Sequence, residues 1–130
     1  MTPYLTFGGD CADAFARYER VFGGTLTLTR YSDAPPEARP PGGGGGVMHA
    51  ELRGDGWAVM GADRPPSGGP LAHGGSVMHL AAGKAEAERI HAALAEGGEV
   101  IMPIMQTFWS PAFGMARDAH GIGWMIAVPS

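Results

Sequence analysis

The sequence predicts an α+β fold of two tandem βαβββ modules, at about residues 1–63 and 75–130, joined by a Gly/Pro-rich linker. Three observations support this prediction. The order of apolar segments repeats, an amphipathic helical segment follows the first strand of each half, and glycine and proline concentrate at 34–46 and 63–75. A chain of 130 residues has the size of one domain.

The first half begins with a strand, PYLTF at 3–7, bounded by proline and glycine. A helix follows to about Phe22, because CADAFARYERVF places its apolar side chains on one face before Gly23-Gly24 ends it. Alternating threonines and apolar residues at 25–31 predict a half-buried strand. GVMHAELR and WAVMGA, separated by GDG, predict a hairpin.

The second half repeats this order. GSVMHLAA predicts a strand and KAEAERIHAALAE a helix, with His91 on its solvent side, which Gly97-Gly98 ends. EVIMPIM, FGMARD and WMIAVP predict three further strands. The predicted elements after residue 31 lie at 46–53, 57–62, 75–82, 84–96, 99–105, 113–118 and 124–129.

The two halves can be aligned as a duplication. The first strand and helix of each half match at an offset of 73 residues, which places Thr6 on His79. The hairpins match at an offset of 67, which places Met48 on Met115. His79 then belongs to a first strand and His49 to a third strand. The Val-Met-His triplet that occurs twice is therefore not one ligand-bearing strand used in both halves.

Composition excludes several function classes. The net charge is −4, charged residues make up 17% of the chain, and Lys84 is the one lysine, so nucleic acids and anionic membranes have no basic surface to bind. No long apolar run or secretory signal is present, and we expect a cytoplasmic protein. The single Cys11 excludes an internal disulfide and a cysteine zinc site. A helix start could lower its pKa, but an unreactive thiol is the favoured interpretation.

Motifs along nearly the whole chain resemble those of the vicinal oxygen chelate superfamily, which includes glyoxalase I, bleomycin-resistance proteins and extradiol dioxygenases. PYLTF, AFARYERVFGG, MHAEL and the tail TFW…FG…W resemble its PhnB-like branch. The resemblance implies that each module curls into a half-barrel, that the two form a cleft with helices on the convex side, and that the protein is a homodimer. A methyltransferase label used for this branch has no support, because no nucleotide-binding glycine motif is present.

Strand alternation predicts which side chains face that cleft. In the first strand, Leu5 and Phe7 are expected on the helix side and Tyr4 and Thr6 in the cleft. In the strand at 77–81, Met78 and Leu80 are expected on the helix side and His79 in the cleft. His49 and Glu51 share one face of their strand, which the sequence leaves open as cleft or solvent.

The resemblance also implies where a metal would bind. In metal-dependent members the ligands come from the first and last strands of each module, which are Thr6, His79, Ala58 and Met125 here. Threonine, alanine and methionine do not hold a hard or borderline divalent ion, so no metal cofactor is expected. The alternative is a divalent metal at a non-standard site of His79, His49 and Glu51.

The aromatic and methionine content favours a flat, apolar ligand. Trp109 lies in the irregular segment TFWSPAFG, where it could close one end of a pocket, and eight methionines supply adaptable apolar lining. We predict a protein that binds a small, largely apolar or aromatic molecule. The expected ligand contacts are Tyr4, Thr6, His49, Glu51, Met60, His79, Trp109 and Met125.

Three other functions stay open at this stage. The first is a metal-dependent lyase, isomerase or dioxygenase at the non-standard site. The second is metal-free acid–base chemistry by Glu51 and His79. The third is a domain whose role is assembly with itself or another protein.

Overall fold

The computed structural model describes residues 1–33, 46–64 and 75–129, and within these ranges the chain forms two α-helices and eight strands in the predicted order. Both Gly/Pro-rich stretches, and with them the predicted linker, lie almost wholly outside the described residues. The described part of the chain contains no helix long and apolar enough to cross a membrane. The elements are β1 (Tyr4–Phe7), α1 (Cys11–Phe22), β2 (Thr25–Arg30), a 3₁₀ turn (Tyr31–Asp33), β3 (Val47–Gly54), β4 (Trp57–Asp63), β5 (Ser76–Leu80), α2 (Lys84–Ala95), β6 (Glu99–Met105), β7 (Phe113–Arg117) and β8 (Gly123–Ala127).

The chain divides into two compact units, Met1–Ala72 and His73–Ser130, and the described part of each contains one α-helix and one four-stranded sheet. In the first unit the strand order is β1-β4-β3-β2, with β1 parallel to β4 and the other pairs antiparallel. Helix α1 packs on β2, β3 and β4. Gly61 permits close contact there, because a Cβ would lie 2.8 Å from the Phe15 ring.

The second unit repeats this topology with the order β5-β8-β7-β6 and with α2 packed on β6, β7 and β8. His91 corrects one expectation, because it lies buried against the sheet instead of facing solvent. Its Nε2 lies 3.1 Å from the carbonyl oxygen of Met102 and 3.0 Å from that of Met115. The imidazole N–H is shared between these acceptors on β6 and β7, which makes burial of this polar ring possible.

The strand register corrects the alignment of the two first strands. Tyr4 pairs with Met60, and Leu80 pairs with Ala127. Because Met60 and Ala127 are counterparts at the offset of 67, the counterpart of Tyr4 is Leu80, 76 residues later instead of 73. The connection from first strand to helix is therefore three residues shorter in the second unit. Because side chains alternate along a strand, a connection that is shorter by an odd number of residues turns the other set of side chains toward the helix.

The two hairpins also differ by an odd number of residues. Gly54 pairs with Trp57 and Ala116 pairs with Trp124, so the third strands match at an offset of 62 while the fourth strands match at 67. The first hairpin turns through two residues and the second through five, 118–122. The gap-free alignment of the hairpins was wrong for this reason, since turn length does not appear in the strand pattern.

Two buried aspartates fix the loops beside these strands. Asp63 accepts hydrogen bonds from the backbone N–H groups of Gly9, Cys11 and Val47 at 2.9–3.0 Å. Asp118 accepts hydrogen bonds from two backbone N–H groups within the five-residue turn. It also accepts one from the indole N–H of Trp124 on β8, at 2.9 Å. Each carboxylate thus satisfies donors that the strands and helices leave unpaired.

Candidate functional site

Each sheet has one face that its own helix covers and one that it does not. We call the second kind the first helix-free face, in Met1–Ala72, and the second helix-free face, in His73–Ser130. Residues paired across neighbouring strands point to the same face, so the registers define both surfaces. Leu52, Val59 and Gly61 share the covered face of the first sheet, since Leu52 and Val59 are buried partners and Gly61 lies under Phe15.

The first helix-free face is largely polar. One row crosses all four strands, and a neighbouring row crosses three of them. Thr6 and His49 lie on the same face by strand alternation. The rows are Tyr4–Met60–Glu51–Thr27 and Ala58–Arg53–Thr25.

A two-point ion pair occupies the centre of this face. Arg53 donates from Nε to Oε2 of Glu51 and from an Nη to Oε1, both at 3.1 Å. This hydrogen bonding holds the pKa of Glu51 below its usual range, against an opposing effect of burial and with smaller help from the charges of Arg53 and His49. Glu51 is therefore a solvent-accessible carboxylate paired with Arg53, and its lowered pKa makes it a weaker base.

Tyr4 and His49 form a second polar pair on the same face. The Tyr4 hydroxyl lies 3.1 Å from Nδ1 of His49, and the ring centroids are 5.8 Å apart. Burial raises the pKa of Tyr4, with smaller contributions from the thiol of Cys11 and the hydroxyl of Tyr31. Tyr4 thus stays protonated at neutral pH, with its hydroxyl within hydrogen-bond distance of Nδ1.

The second helix-free face is apolar. Two rows of paired residues cross all four strands of this sheet, and each contains large side chains. Met78 and Leu80 on the edge strand are 53% and 59% exposed, which shows that the unit's own helix does not cover them. The rows are Met102–Met115–Met125–Met78 and Met105–Phe113–Ala127–Leu80.

Aromatic rings border this face. Trp109 packs edge-on against Phe113 with centroids 5.5 Å apart, and Phe108 packs edge-on against Trp109 at 4.7 Å. Phe113 is buried, while Trp109 is 49% exposed. The loop carrying these rings is held by Ser110, whose single O–H is shared between the carbonyl oxygens of Ala112 and Val128, 2.9 and 2.7 Å away. Trp109 is therefore held in place as a partly exposed aromatic wall.

His79 lies on the covered face of its sheet, not where alternation placed it. It pairs with Ile126, which is fully buried, and its charge interacts with Glu86 and Arg89 of α2. Burial lowers the pKa of His79, Arg89 lowers it further, and Glu86 opposes both. The sequence misled here because Val77, Met78 and Leu80 are all apolar, so the strand shows no clean alternation.

The structure therefore separates the eight predicted contacts into three places. Five lie on the first helix-free face, Met125 and Trp109 lie on or beside the second, and His79 lies under α2. Sequence reasoning missed several residues of the second helix-free face. The missed residues are Met78, Leu80, Met102, Met105, Phe113 and Met115. The density of methionine between residues 102 and 125 was the one signal that pointed to them.

The residues present do not fit a divalent metal of the kind bound by related enzymes. Thr6, Ala58 and Met125 offer no suitable ligand, and His79 points to the covered face. Across residues 1–33, 46–64 and 75–129, no three His, Cys, Asp or Glu side chains are grouped so that they could hold a metal ion. Nothing in the described chain thus favours the non-standard set of His79, His49 and Glu51.

Cys11 offers no reactive thiol. The side chain is fully buried, and burial, followed by the charges of Asp63 and Asp10, raises the pKa of Cys11 to about 12. The unreactive thiol is the interpretation favoured from the sequence, and burial and two nearby carboxylates outweigh any effect of the helix terminus.

Comparisons with known proteins agree with this architecture. A model of the Glyoxalase/Bleomycin resistance protein/Dioxygenase superfamily matches residues 2–126. Protein YjdN of Escherichia coli is 32% identical, over 98% of this chain and 94% of that protein. The crystal structure of protein PA1353 from Pseudomonas aeruginosa is 39% identical with a TM-score of 0.92, over 99% and 96% of the two chains. A PhnB protein from Bacillus cereus is 23% identical with a TM-score of 0.79, over 98% of each chain, and shares the fold.

Proposed function

The chain belongs to the glyoxalase/bleomycin resistance/dioxygenase superfamily, and from this premise we propose that it binds a small apolar or aromatic molecule on its second helix-free face. The observation that carries the proposal is the pair of apolar rows on that face, with Trp109 fixed beside Phe113. A surface of methionines and rings that its own helix leaves uncovered gives a flat molecule apolar area and adaptable contacts. Binding of this kind needs no metal.

Trp109 provides the test of this proposal. In a titration with a neutral planar fluorophore such as N-phenyl-1-naphthylamine, Trp109→Ala should weaken binding by about 1–3 kcal/mol, as expected for an aromatic contact that covers a ligand. Because Trp109 is 49% exposed, the variant should remain folded. Trp109→Phe should recover part of the affinity.

The matched control is Tyr4→Ala, which removes a ring of similar exposure from the first helix-free face. It should leave the affinity for the fluorophore unchanged. Unchanged affinity in Trp109→Ala, or equal losses in both variants, would remove the ligand from the second helix-free face.

We also propose that the protein forms a homodimer in which β6 takes part. This edge strand pairs with β7 on one side, and its Val100 and Ile101 are 54% and 46% exposed. An exposed apolar edge is a surface that pairing with a second chain would cover. Light scattering should give twice the chain mass of 13.5 kDa, and Ile101→Lys should restore the monomer mass. A monomeric wild-type protein would contradict this proposal.

A further inference from the structure

The second helix-free face carries four methionines in one continuous row. Met102, Met115, Met125 and Met78 are successive register partners on β6, β7, β8 and β5. Half of the eight methionines in the chain therefore lie side by side across one sheet. We call this set the methionine row.

The row holds its thioethers close together and accessible. Residues paired across strands have Cα atoms about 4.5–5.5 Å apart, and methionine side chains have three rotatable bonds before the terminal methyl group. Met78 is 53% exposed and the other three are partly exposed, so none of the four is fully buried in the core. Sulfurs from three neighbouring strands can therefore converge on one point above the sheet.

We propose that the methionine row binds a soft monovalent d¹⁰ cation, Cu(I) or Ag(I), through thioether sulfurs. Thioethers are soft, uncharged ligands that select Cu(I) over hard and borderline divalent ions. Met115 and Met125 form the centre of the site and Met78 completes it. Met102 contributes less, because the register between β6 and β7 shifts on both sides of it.

The surroundings favour a low ionic charge. Arg117 lies two residues from Met115 on the same face, and its guanidinium is paired with Glu99 at 3.2 Å. The described part of this face offers no uncompensated carboxylate to balance a divalent ion. The rings of Phe113 and Trp109 border the row, and a bound cation gains further stabilisation from aromatic faces.

The chain's one thiol does not compete for such an ion. Cys11 lies in the other unit, is fully buried, and has its pKa raised to about 12. A soft ion added to the folded protein therefore meets the methionine row as its principal soft site. A Cys11→Ala background removes any contribution from partly unfolded chains.

The experiment is a silver titration of the full chain carrying ¹³C-methyl methionine, in chloride-free buffer. One equivalent of Ag(I) should shift the methyl signals of Met78, Met115 and Met125 and leave those of Met48 and Met60 in place. Met115→Leu and Met125→Leu should each weaken Ag(I) binding at least tenfold, and the double variant should abolish it. Met60→Leu is the matched control and should change the affinity less than twofold.

This inference goes beyond the proposed small-molecule function. Different variants test the silver site and the small-molecule site, so either proposal can be wrong while the other holds. Leucine keeps the apolar area and nearly the volume of methionine, so the leucine variants should stay folded and any loss of silver reports the missing thioethers. Trp109→Ala should lose the fluorophore while keeping most of the affinity for Ag(I). No retained silver, methyl shifts spread over all methionines, or undiminished binding in the double variant would overturn the metal site. Cu(I) titration against a competing chelator should give the same order of variants.

Discussion

The two helix-free faces occupy equivalent positions in the two units and have opposite chemistry. The registers place Phe113 where the first unit has Glu51, and Met115 where it has Arg53. One sheet therefore presents an ion pair at its centre and the other presents a ring and a thioether. The same backbone accepts both, because each sheet packs its covered face on its own helix and the helix-free face can vary. The chemistry of a site is in this sense separate from the fold that carries it.

The largest expected effect comes from placing the residue type of Glu51, on the first helix-free face, at its counterpart Phe113 on the second. Phe113 is 5% exposed and packs against Trp109, so Phe113→Glu buries a carboxylate and removes a ring contact. The free energy of unfolding should fall by about 3–5 kcal/mol, measured by chemical denaturation. Phe113→Leu is the control for ring size alone and should cost less. Equal costs for Glu and Leu would mean that this position tolerates charge, and the contrast between the faces would lose its energetic basis.

An intermediate effect is expected at His79, which tests the reversal of faces in β5. Its folded pKa lies below the unfolded value of 6.5, so the unfolded chain takes up a proton more readily as the pH falls below 6.5. The stability that depends on neutral His79 is present above pH 6.5 and is lost as the pH falls toward the folded pKa. His79→Gln should therefore lose less stability than the wild type between pH 7.5 and 5.5. Identical pH profiles would place His79 in solvent.

The smallest effect is expected when the residue type of Met115, on the second helix-free face, is placed at its counterpart Arg53 on the first. Arg53 and Glu51 are exposed partners, and an exposed ion pair contributes little to folding. Arg53→Met should leave the midpoint of thermal unfolding within a degree or two of the wild type, and should raise the pKa of Glu51 because its hydrogen-bonding partner is gone. NMR titration of the Glu51 carboxyl would measure that rise. A large loss of stability would show that the first face also needs its side chains for folding.

The elements themselves followed closely from local sequence. The helix ending at Phe22 and the hairpin at Asp55-Gly56 lie where apolar periodicity and glycine placement predicted them. Tyr4 and Thr6 were correctly placed opposite the helix side, because Leu5 and Phe7 gave their strand a clear alternation. The prediction for β5 was wrong where that alternation was absent.

The sequence by itself determined the α+β class, the order of elements and the family. All of these depend on residue type and local spacing, which can be read from one sequence. Tertiary structure decided which side of β5 faces α2, which residues of the two units correspond, and that His91 and Cys11 are buried. These depend on the lengths of a connection and of a turn, and an odd difference in either length changes a strand's facing side without changing its pattern. The methionine row depends on the same register, since its four members come from four strands that only the folded sheet brings side by side.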